Sequence, residues 1–441
     1  MSRRPRKRLQ RILIATLALC ALFAATLLAL LCNASVETTV SGAPTRLRLH
    51  LPGGRDIAFP LYTAATGTVH LAGFLAGPII RNHGDHGWSA DWFCIDRASH
   101  LETRTMPIRI ECNGRQMDYA PRPAQIPAAV APMPERIAVL SDIEGNIRFL
   151  DRALFQLGVT DRSGHWAFHN QHLVILGDSV DRGRDVSAVL WRLYTLSQQA
   201  DIAGGAVHVL LGNHEQYLLR TNPSRSNADA RFALNAIGGY ATAHAADTVI
   251  GQWLRQQPVV LQLGDVLFAH GGISPQVAGA GLGVEDLNTA MRNYWRTPAE
   301  QVRHSPALDA VLGLQGVTQY RGYFRAMEGR YPRATEADVA RVLDQFAARL
   351  IVVGHTLVPQ ISLLHGGRVY AIDVNSNEAA AQALVFAHGS PRIVDIGTPR
   401  ALAVSAHRPS RDFNLLDAAD RRLLFDAIGD LQRLSALPHP Y

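Results

Sequence analysis

Cysteine is scarce in this chain: four residues in 441. Cys20 and Cys32 lie inside a long apolar run, and Cys94 and Cys112 lie beyond it, none near the motifs described below. That placement argues against a zinc–thiolate centre. Cys94 and Cys112 read as a disulfide in an oxidising compartment, with two buried thiols as the alternative. Lysine is scarcer still. Lys7 is the only one, and arginine supplies every other basic side chain, a bias of the source rather than a sign of function. Acid is missing from the first eleven residues, which hold Arg3, Arg4, Arg6, Lys7, Arg8 and Arg11. Those six charges account for the whole formal excess of +6, so the remainder nets zero and gives no case for nucleic-acid binding. Internal repeats are absent, and low-complexity sequence is confined to one proline-rich stretch.

Charge is absent altogether from Ile12 to Cys32, a run close to the roughly 20 residues that cross a bilayer. A cleaved signal peptide has a shorter apolar core of about 7–15 residues, although Asn33-Ala34-Ser35 offers a small-residue exit. The length favours an uncleaved anchor. The basic arm then stays in the cytoplasm and everything after it lies outside. The expectation is a single-pass inner-membrane protein with a periplasmic or extracellular body. No Phe-Leu follows Arg3-Arg4 to support a twin-arginine signal, and Cys32 lacks the preceding small residue that lipidation needs.

Five segments are expected. Residues 1–35 are the basic arm and transmembrane signal-anchor. Residues 36–118 form a small β-rich domain, because Arg46 to Leu51 and Pro107 to Cys112 alternate at period two and end at Pro52-Gly53-Gly54 and Asn113-Gly114. Residues 119–136 are a linker stiffened by Pro121, Pro123, Pro127, Pro132 and Pro134. Residues 137–400 form the main domain, with strands at Ile137–Leu140, His172–Leu176, Val207–Leu211, Val266–Ala269, Leu350–Val353 and Val369–Ile372. A helix follows the first of these, with Gly158 at its C-terminus, and residues 215–257 read as a helical cap over the site. Residues 401–441 carry leucines at helical spacing, an amphipathic helix packed on the body.

The chemistry sits at the strand ends. Asp142-Ile143-Glu144-Gly145-Asn146, Gly177-Asp178-Ser179-Val180-Asp181-Arg182-Gly183, Gly212-Asn213-His214-Glu215, His270-Gly271-Gly272-Ile273-Ser274-Pro275 and Gly354-His355-Thr356 each follow a short apolar run. Each offers carboxylate, amide or imidazole groups beside a glycine. Alone, any of them is usually structural; in this order they fit phosphate-ester hydrolysis. Two divalent cations about 3.5–4 Å apart, sharing one carboxylate and a hydroxide, supply nucleophile and charge compensation together. Asp178 would bridge, Asp142 and Glu144 would complete one cation, and Asn213, His270 and His355 the other. His214, beside a ligand, suits a general acid for the leaving oxygen, with Asp181 holding it protonated. Arg182 would grip phosphate oxygens with its planar fork.

The pattern resembles the calcineurin-like metallophosphoesterases, and within them the PPP-type phosphoprotein phosphatases. Their order is Gly-Asp-x-His-Gly, Gly-Asp-x-Val-Asp-Arg-Gly, Gly-Asn-His-Glu, His-Gly-Gly-Leu-Ser-Pro, a later arginine-glycine and a last histidine. Here the second and third motifs match fully, and the fourth differs only by Ile273. The resemblance covers about residues 136–400 and is closest to the bacterial branch related to the Shewanella-like phosphatases. It implies an α/β/β/α sandwich of two mixed sheets with the metals at one edge. It also implies metal ligands at Asp142, Asp178, Asn213, His270 and His355, a phosphate clamp at Arg182, and the acid His214 with its partner Asp181. Arg321 in Tyr320-Arg321-Gly322-Tyr323 would be the later phosphate-binding arginine, an ordinary surface arginine being the alternative.

Glu144 departs from that pattern, which has histidine there, and Ser141 replaces the leading glycine. Asn375 stands where relatives often place glycine, and nothing is drawn from it. With Asp142, Asp178 and a hydroxide, Glu144 would balance the charge of two divalent cations, which favours Mn²⁺, Mg²⁺ or iron over zinc at that position. The expected cofactors are two divalent metal ions: Mn, Fe, Mg or Zn. The expected activity is phosphomonoester hydrolysis, on phosphorylated protein (Ser/Thr or Tyr) or small phosphoesters, with membrane contact through the N-terminal helix. A nucleotide or diadenosine-tetraphosphate hydrolase shares the motifs, but export away from cytoplasmic nucleotides argues against it. A third reading is a metal-impaired, surface-anchored binding protein, its site spoiled by Glu144.

Overall fold

Apolar, β-branched runs too short for helices build two mixed sheets in this protein. The computed structural model describes residues 4–37, 46–52, 55–60, 75–94, 97–112, 114–374, 381–396, 410–418, 420–421 and 424–425. It divides the chain into two units, residues 1–69 with 405–436 and residues 70–404 with 437–441.

In the larger unit the first sheet runs Ala206–Val209, His172–Ile175, Arg136–Leu140, Gln382–Ala387, Ser390–Asp395. Its first two pairings are parallel and its last two antiparallel. The second sheet runs Ser362–Leu364, Val369–Ala371, Leu350–Val353, Val266–Ala269, Val260–Leu263, Val130–Ala131. The sheets share one core. Ile137, Val139, Val174, Leu384 and Phe386 from the first join Leu261, Leu263, Val266, Phe268 and Val352 from the second. The rings of Phe268 and Phe386 meet edge to face with centroids 6.1 Å apart. Ala138, Leu173 and Ile175 point the other way along the same strands and are equally buried, as expected for parallel strands with helices outside them. Helix Ile147–Gln156 begins at Asn146, whose side chain accepts from Phe149 N–H, and Gly158 takes φ 70° just past its end. Helices Asn213–Leu219, Ala228–Ala236, Tyr240–Ala243 and Val249–Gln256 fill the predicted cap segment.

Three expectations need correction. The single β-rich domain over 36–118 is divided between the units. Strands Ala34–Glu37, Arg46–Leu51 and Arg55–Pro60 belong to the smaller unit. Strands Leu75–Asn82, Trp88–Cys94 and Arg97–Thr103 and the hairpin Ile108–Cys112/Arg115–Tyr119 belong to the larger one. Their apolar faces are covered by its helices: Trp191 Nε1 donates to the Pro78 carbonyl (3.0 Å), Phe93 meets Phe232 (5.7 Å), and Tyr119 meets Trp191 (4.7 Å). Cys94 and Cys112 are joined, tying this sheet to the hairpin.

The proline-rich linker 119–136 has no helix, but it is not a free spacer. Arg122 N–H donates to Tyr194 Oη (2.8 Å), Ala129 is buried, and Val130–Ala131 adds a parallel strand to the second sheet. In the tail expected to be a helix over 401–441, Ser410–Asp412 is a strand paired with Ala34–Glu37, and Phe413 packs on Val36 and Leu47. Most of the rest of that tail lies outside the described residues. The N-terminal helix spans Arg4–Cys32, and its portion Ile14–Cys32, with mean hydropathy 2.5, is long and apolar enough to cross a membrane.

Candidate active site

Each motif begins where a strand of the larger unit stops. Arg136–Leu140 leads to Asp142 and Glu144, and His172–Ile175 to Asp178, Asp181 and Arg182. Ala206–Val209 leads to helix Asn213–Leu219, Val266–Ala269 to His270, and Leu350–Val353 to His355. The turns are tight. Asp142, Glu144, Asp178, Asp181, Arg182 and His355 take φ of 51°, 52°, 50°, 66°, 49° and 64°, in a region that costs a non-glycine residue about 1–2 kcal/mol. Hydrogen bonds between the loops hold them there: Asp142 N–H to Gly177 O (3.1 Å), Glu144 N–H to Asp178 O (2.9 Å) and Gly183 N–H to Glu144 O (2.8 Å). Gly212 packs so closely that a Cβ would run into Asp178 Oδ1.

Asp178 is the centre. Its Oδ1 accepts from His214 N–H (2.9 Å), and its Oδ2 lies 3.0 Å from His270 Nε2 and 3.7 Å from His214 Nε2. His270 Nδ1 faces the Leu176 carbonyl (2.7 Å), so that nitrogen carries the proton and Nε2 turns inward, 3.1 Å from Asn213 Oδ1. His355 Nε2 faces the Gln319 carbonyl (3.2 Å), which leaves Nδ1 as its free donor nitrogen. Ligand atoms of Asp178, His270 and His355 all lie within 4.8 Å of one another. Asp142 Oδ2 accepts from His355 N–H (3.1 Å) and from Ser141 Oγ. Glu144 is turned differently: its Oε1 sits 2.6 Å from Arg182 Nη1. His214 Nδ1 lies 2.9 Å from Asp181 Oδ2. Arg321 Nη1 donates to the His355 carbonyl (2.7 Å) and to Thr356 Oγ1 (3.1 Å), so it is no ordinary surface arginine. These contacts join Asp142, Asp178, Asp181, Asn213, His214, His270, His355 and Arg321, whereas the side chains of Glu144 and Arg182 pair with each other and Glu144 is not among the grouped ligand atoms.

Burial of like charges shapes the electrostatics. Burial pushes Asp142 up to about 7, and neighbouring Asp178 pushes the same way. Glu144 rises to about 7 chiefly through burial, against the pull of Arg182. For Asp178 burial is outweighed by His270, His214 and His355, which hold it well below the usual carboxylate range. Burial likewise opposes charge on His270 and His214, but Asp178 prevails at both, raising them to about 10 and about 9; Asp181 adds to the rise of His214. His355, beside His270, falls well below its ordinary value, first through burial. Crowded buried carboxylates with oxygen and nitrogen donors aimed inward fit divalent cations, whose charge would relieve that repulsion.

One buried acid carries a role that its position after His214 does not announce. Glu215 accepts from the N–H groups of Asp178 (2.9 Å), Ser179 (2.7 Å) and Gly212 (2.8 Å), and so clamps two ligand loops together. The only sequence signal for it is an acid placed among residues that must be buried.

The family description Calcineurin-like phosphoesterase matches residues 135–359. Shewanella-like protein phosphatase 1 of Plasmodium berghei is 24% identical over 255 residues, which cover 54% of this chain and 66% of that relative, just under two thirds. A symmetrical bis(5'-nucleosyl)-tetraphosphatase of Acidovorax sp. is 27% identical over 248 residues, 55% of this chain and 71% of that protein. A solved cold-active protein-tyrosine phosphatase of a psychrophilic Shewanella sp. superimposes with a TM-score of 0.65 at 28% identity, covering 73% of this chain and 100% of that one. The chain belongs to the calcineurin-like phosphoesterase family: it is a phosphoester hydrolase, and the family implies divalent metal ions.

Proposed function

We propose that this protein removes phosphate from phosphorylated protein side chains outside the cytoplasmic membrane, to which its N-terminal helix anchors it. The observation that carries the reading is the convergence of Asp178, His270 and His355 within 4.8 Å, next to the His214–Asp181 pair. Asp142 and Asp178 would hold one divalent cation, which Glu144 would join by turning from Arg182, and Asp178, Asn213, His270 and His355 a second. Cations bound there supply Lewis acidity and lower the pKa of water. The protein's own groups do the rest. Arg321 and Arg182 bind phosphate oxygens, Glu215 fixes the loops, and His214, kept protonated beside Asp181, gives a proton from Nε2 to the leaving oxygen.

A protein substrate is supported by the likeness to the Shewanella protein-tyrosine phosphatase over its whole length and by the Plasmodium protein phosphatase. The anchor is supported by Ile14–Cys32 behind the basic arm. A body outside the cytoplasm is supported by the Cys94–Cys112 bridge. The likeness to the Acidovorax enzyme favours a second reading, hydrolysis of dinucleoside polyphosphates. The detergent-solubilised full chain separates them. We expect turnover of p-nitrophenyl phosphate and phosphopeptides at least about tenfold above bis(p-nitrophenyl) phosphate and diadenosine tetraphosphate. The reverse order would establish the second reading. Loss of all turnover in Asp178→Asn, against an active parent, would rule out a metal-impaired binding protein.

A further inference from the structure

The segment that begins with Arg321 closes on itself. Ala334 N–H donates to the Gly322 carbonyl (2.9 Å), and Met327 and Tyr331 form a bridge between them. Its root is fixed at the site by Arg321, held on the His355 carbonyl. Within this loop lie Arg325, Arg330 and Arg333, all exposed, against a single acid, Glu328. Several arginines elsewhere in the same unit do have acidic partners: Arg109 meets Asp118, Arg192 meets Asp151 and Arg349 meets Asp265. Among the described residues Arg325, Arg330 and Arg333 form no ion pair. Exposed positive charges without acidic partners attract an arriving anion.

A cavity of about 570 Å³ adjoins the loop, lined by Arg330, Tyr331, Leu314, Gln315, Gln276 and Val277 among others. Two of its walls run straight out of the site. Tyr331 Oη accepts from Arg321 N–H (3.4 Å), and Gln276 and Val277 belong to helix Pro275–Gly279, capped by Ser274 in the His270 motif. Asp309 is the one acid in the lining, and it already lies 3.4 Å from His304 Nδ1.

We propose that this loop and cavity form a subsite that reads acidic residues flanking the phosphorylated side chain of a polypeptide substrate, an inference resting on the protein-phosphatase reading above. Arginine forks match carboxylates two bonds at a time. The three arginines are strung along a loop rather than converged on one point. The adjoining cavity has apolar walls in Leu314, Val277 and Tyr331 as well as amides. Both features suit a peptide with carboxylates at intervals better than one compact polyanion.

The test uses the full chain in detergent and three phosphopeptides of identical centre with acidic, neutral or basic flanks. The readout is the ratio of kcat/KM between flanks within each enzyme, so changes in total activity cancel. For wild type we expect acidic over neutral by about tenfold, a few exposed charge pairs' worth, expressed in KM. In R325Q/R330Q/R333Q the ratio should fall near one, and in R325E/R330E/R333E it should invert toward basic flanks. A wild-type ratio near one, or a ratio unchanged in both variants, overturns the subsite alone. Turnover of p-nitrophenyl phosphate with no phosphopeptide turned over overturns the protein-phosphatase reading with it. A flank-independent enzyme whose glutamine variant loses binding to phosphatidylserine vesicles overturns it too, and gives the loop to lipid.

Discussion

Asp178→Asn should lower kcat/KM for p-nitrophenyl phosphate by about 10³-fold or more, while the protein stays folded. The replacement keeps the shape and an oxygen to accept from His214 N–H, now 2.9 Å from Oδ1. It removes the negative charge against which His270 Nε2 sits at 3.0 Å and through which two cations would be held together. Several kcal/mol of transition-state stabilisation depend on such cations, and each 1.36 kcal/mol is about tenfold in rate. Circular dichroism and thermal melting check the fold beside the assay. A loss smaller than about tenfold would show that the shared carboxylate is not at the centre of the chemistry.

The second large effect belongs to His214. His214→Ala should cost roughly 10²–10⁴-fold with a poor leaving group such as a phosphoserine peptide, and far less with p-nitrophenyl phosphate, whose leaving oxygen needs no proton. The sign of the pH dependence follows from the geometry. With no cation bound, Asp178 and then Asp181 raise the imidazole to about 9 against burial; cations on Asp178 would take up its charge and leave Asp181 to hold the proton, so the acid is lost as pH rises. Asp181→Asn removes one of those charges and should move the alkaline limb of kcat to lower pH. Equal losses on both leaving groups, or a limb that stays in place in Asp181→Asn, would remove His214 from the role of acid.

Much of the candidate site is legible in the sequence, because each candidate ligand lies within a few positions of a buried strand end and its chemistry is local. Asp142, Asp178, Asn213, His270 and His355 are such cases, and Val266–Ala269 and Leu350–Val353 form strands over the bounds their apolar runs predict. What is not legible depends on distant partners. The Glu144–Arg182 contact joins two loops through side chains whose directions spacing does not fix. Glu215 reads as one more motif letter until its three N–H partners are seen in the folded turns. The same holds for the fold. Strands at 46–51 and 108–112 follow from alternation, but their assignment to different units follows from what covers them: Phe413 and Val36 near one, Tyr119 on Trp191 beside the other. Ser410–Asp412 pairs with Ala34–Glu37 across almost the whole chain, and no local pattern announces such a partner.

Glu144, which departs from the family pattern beside Ser141, Ile273 and Asn375, is the departure expected to bear on metal choice. Metal content of the purified full chain, measured by inductively coupled plasma mass spectrometry beside Asp178→Asn, tests the central claim directly. Two equivalents of manganese, iron or magnesium in wild type, lost in Asp178→Asn, is the predicted result. Two equivalents of zinc would contradict the selectivity assigned to Glu144. Wild type that binds no divalent metal while still cleaving phosphoesters would contradict the whole account.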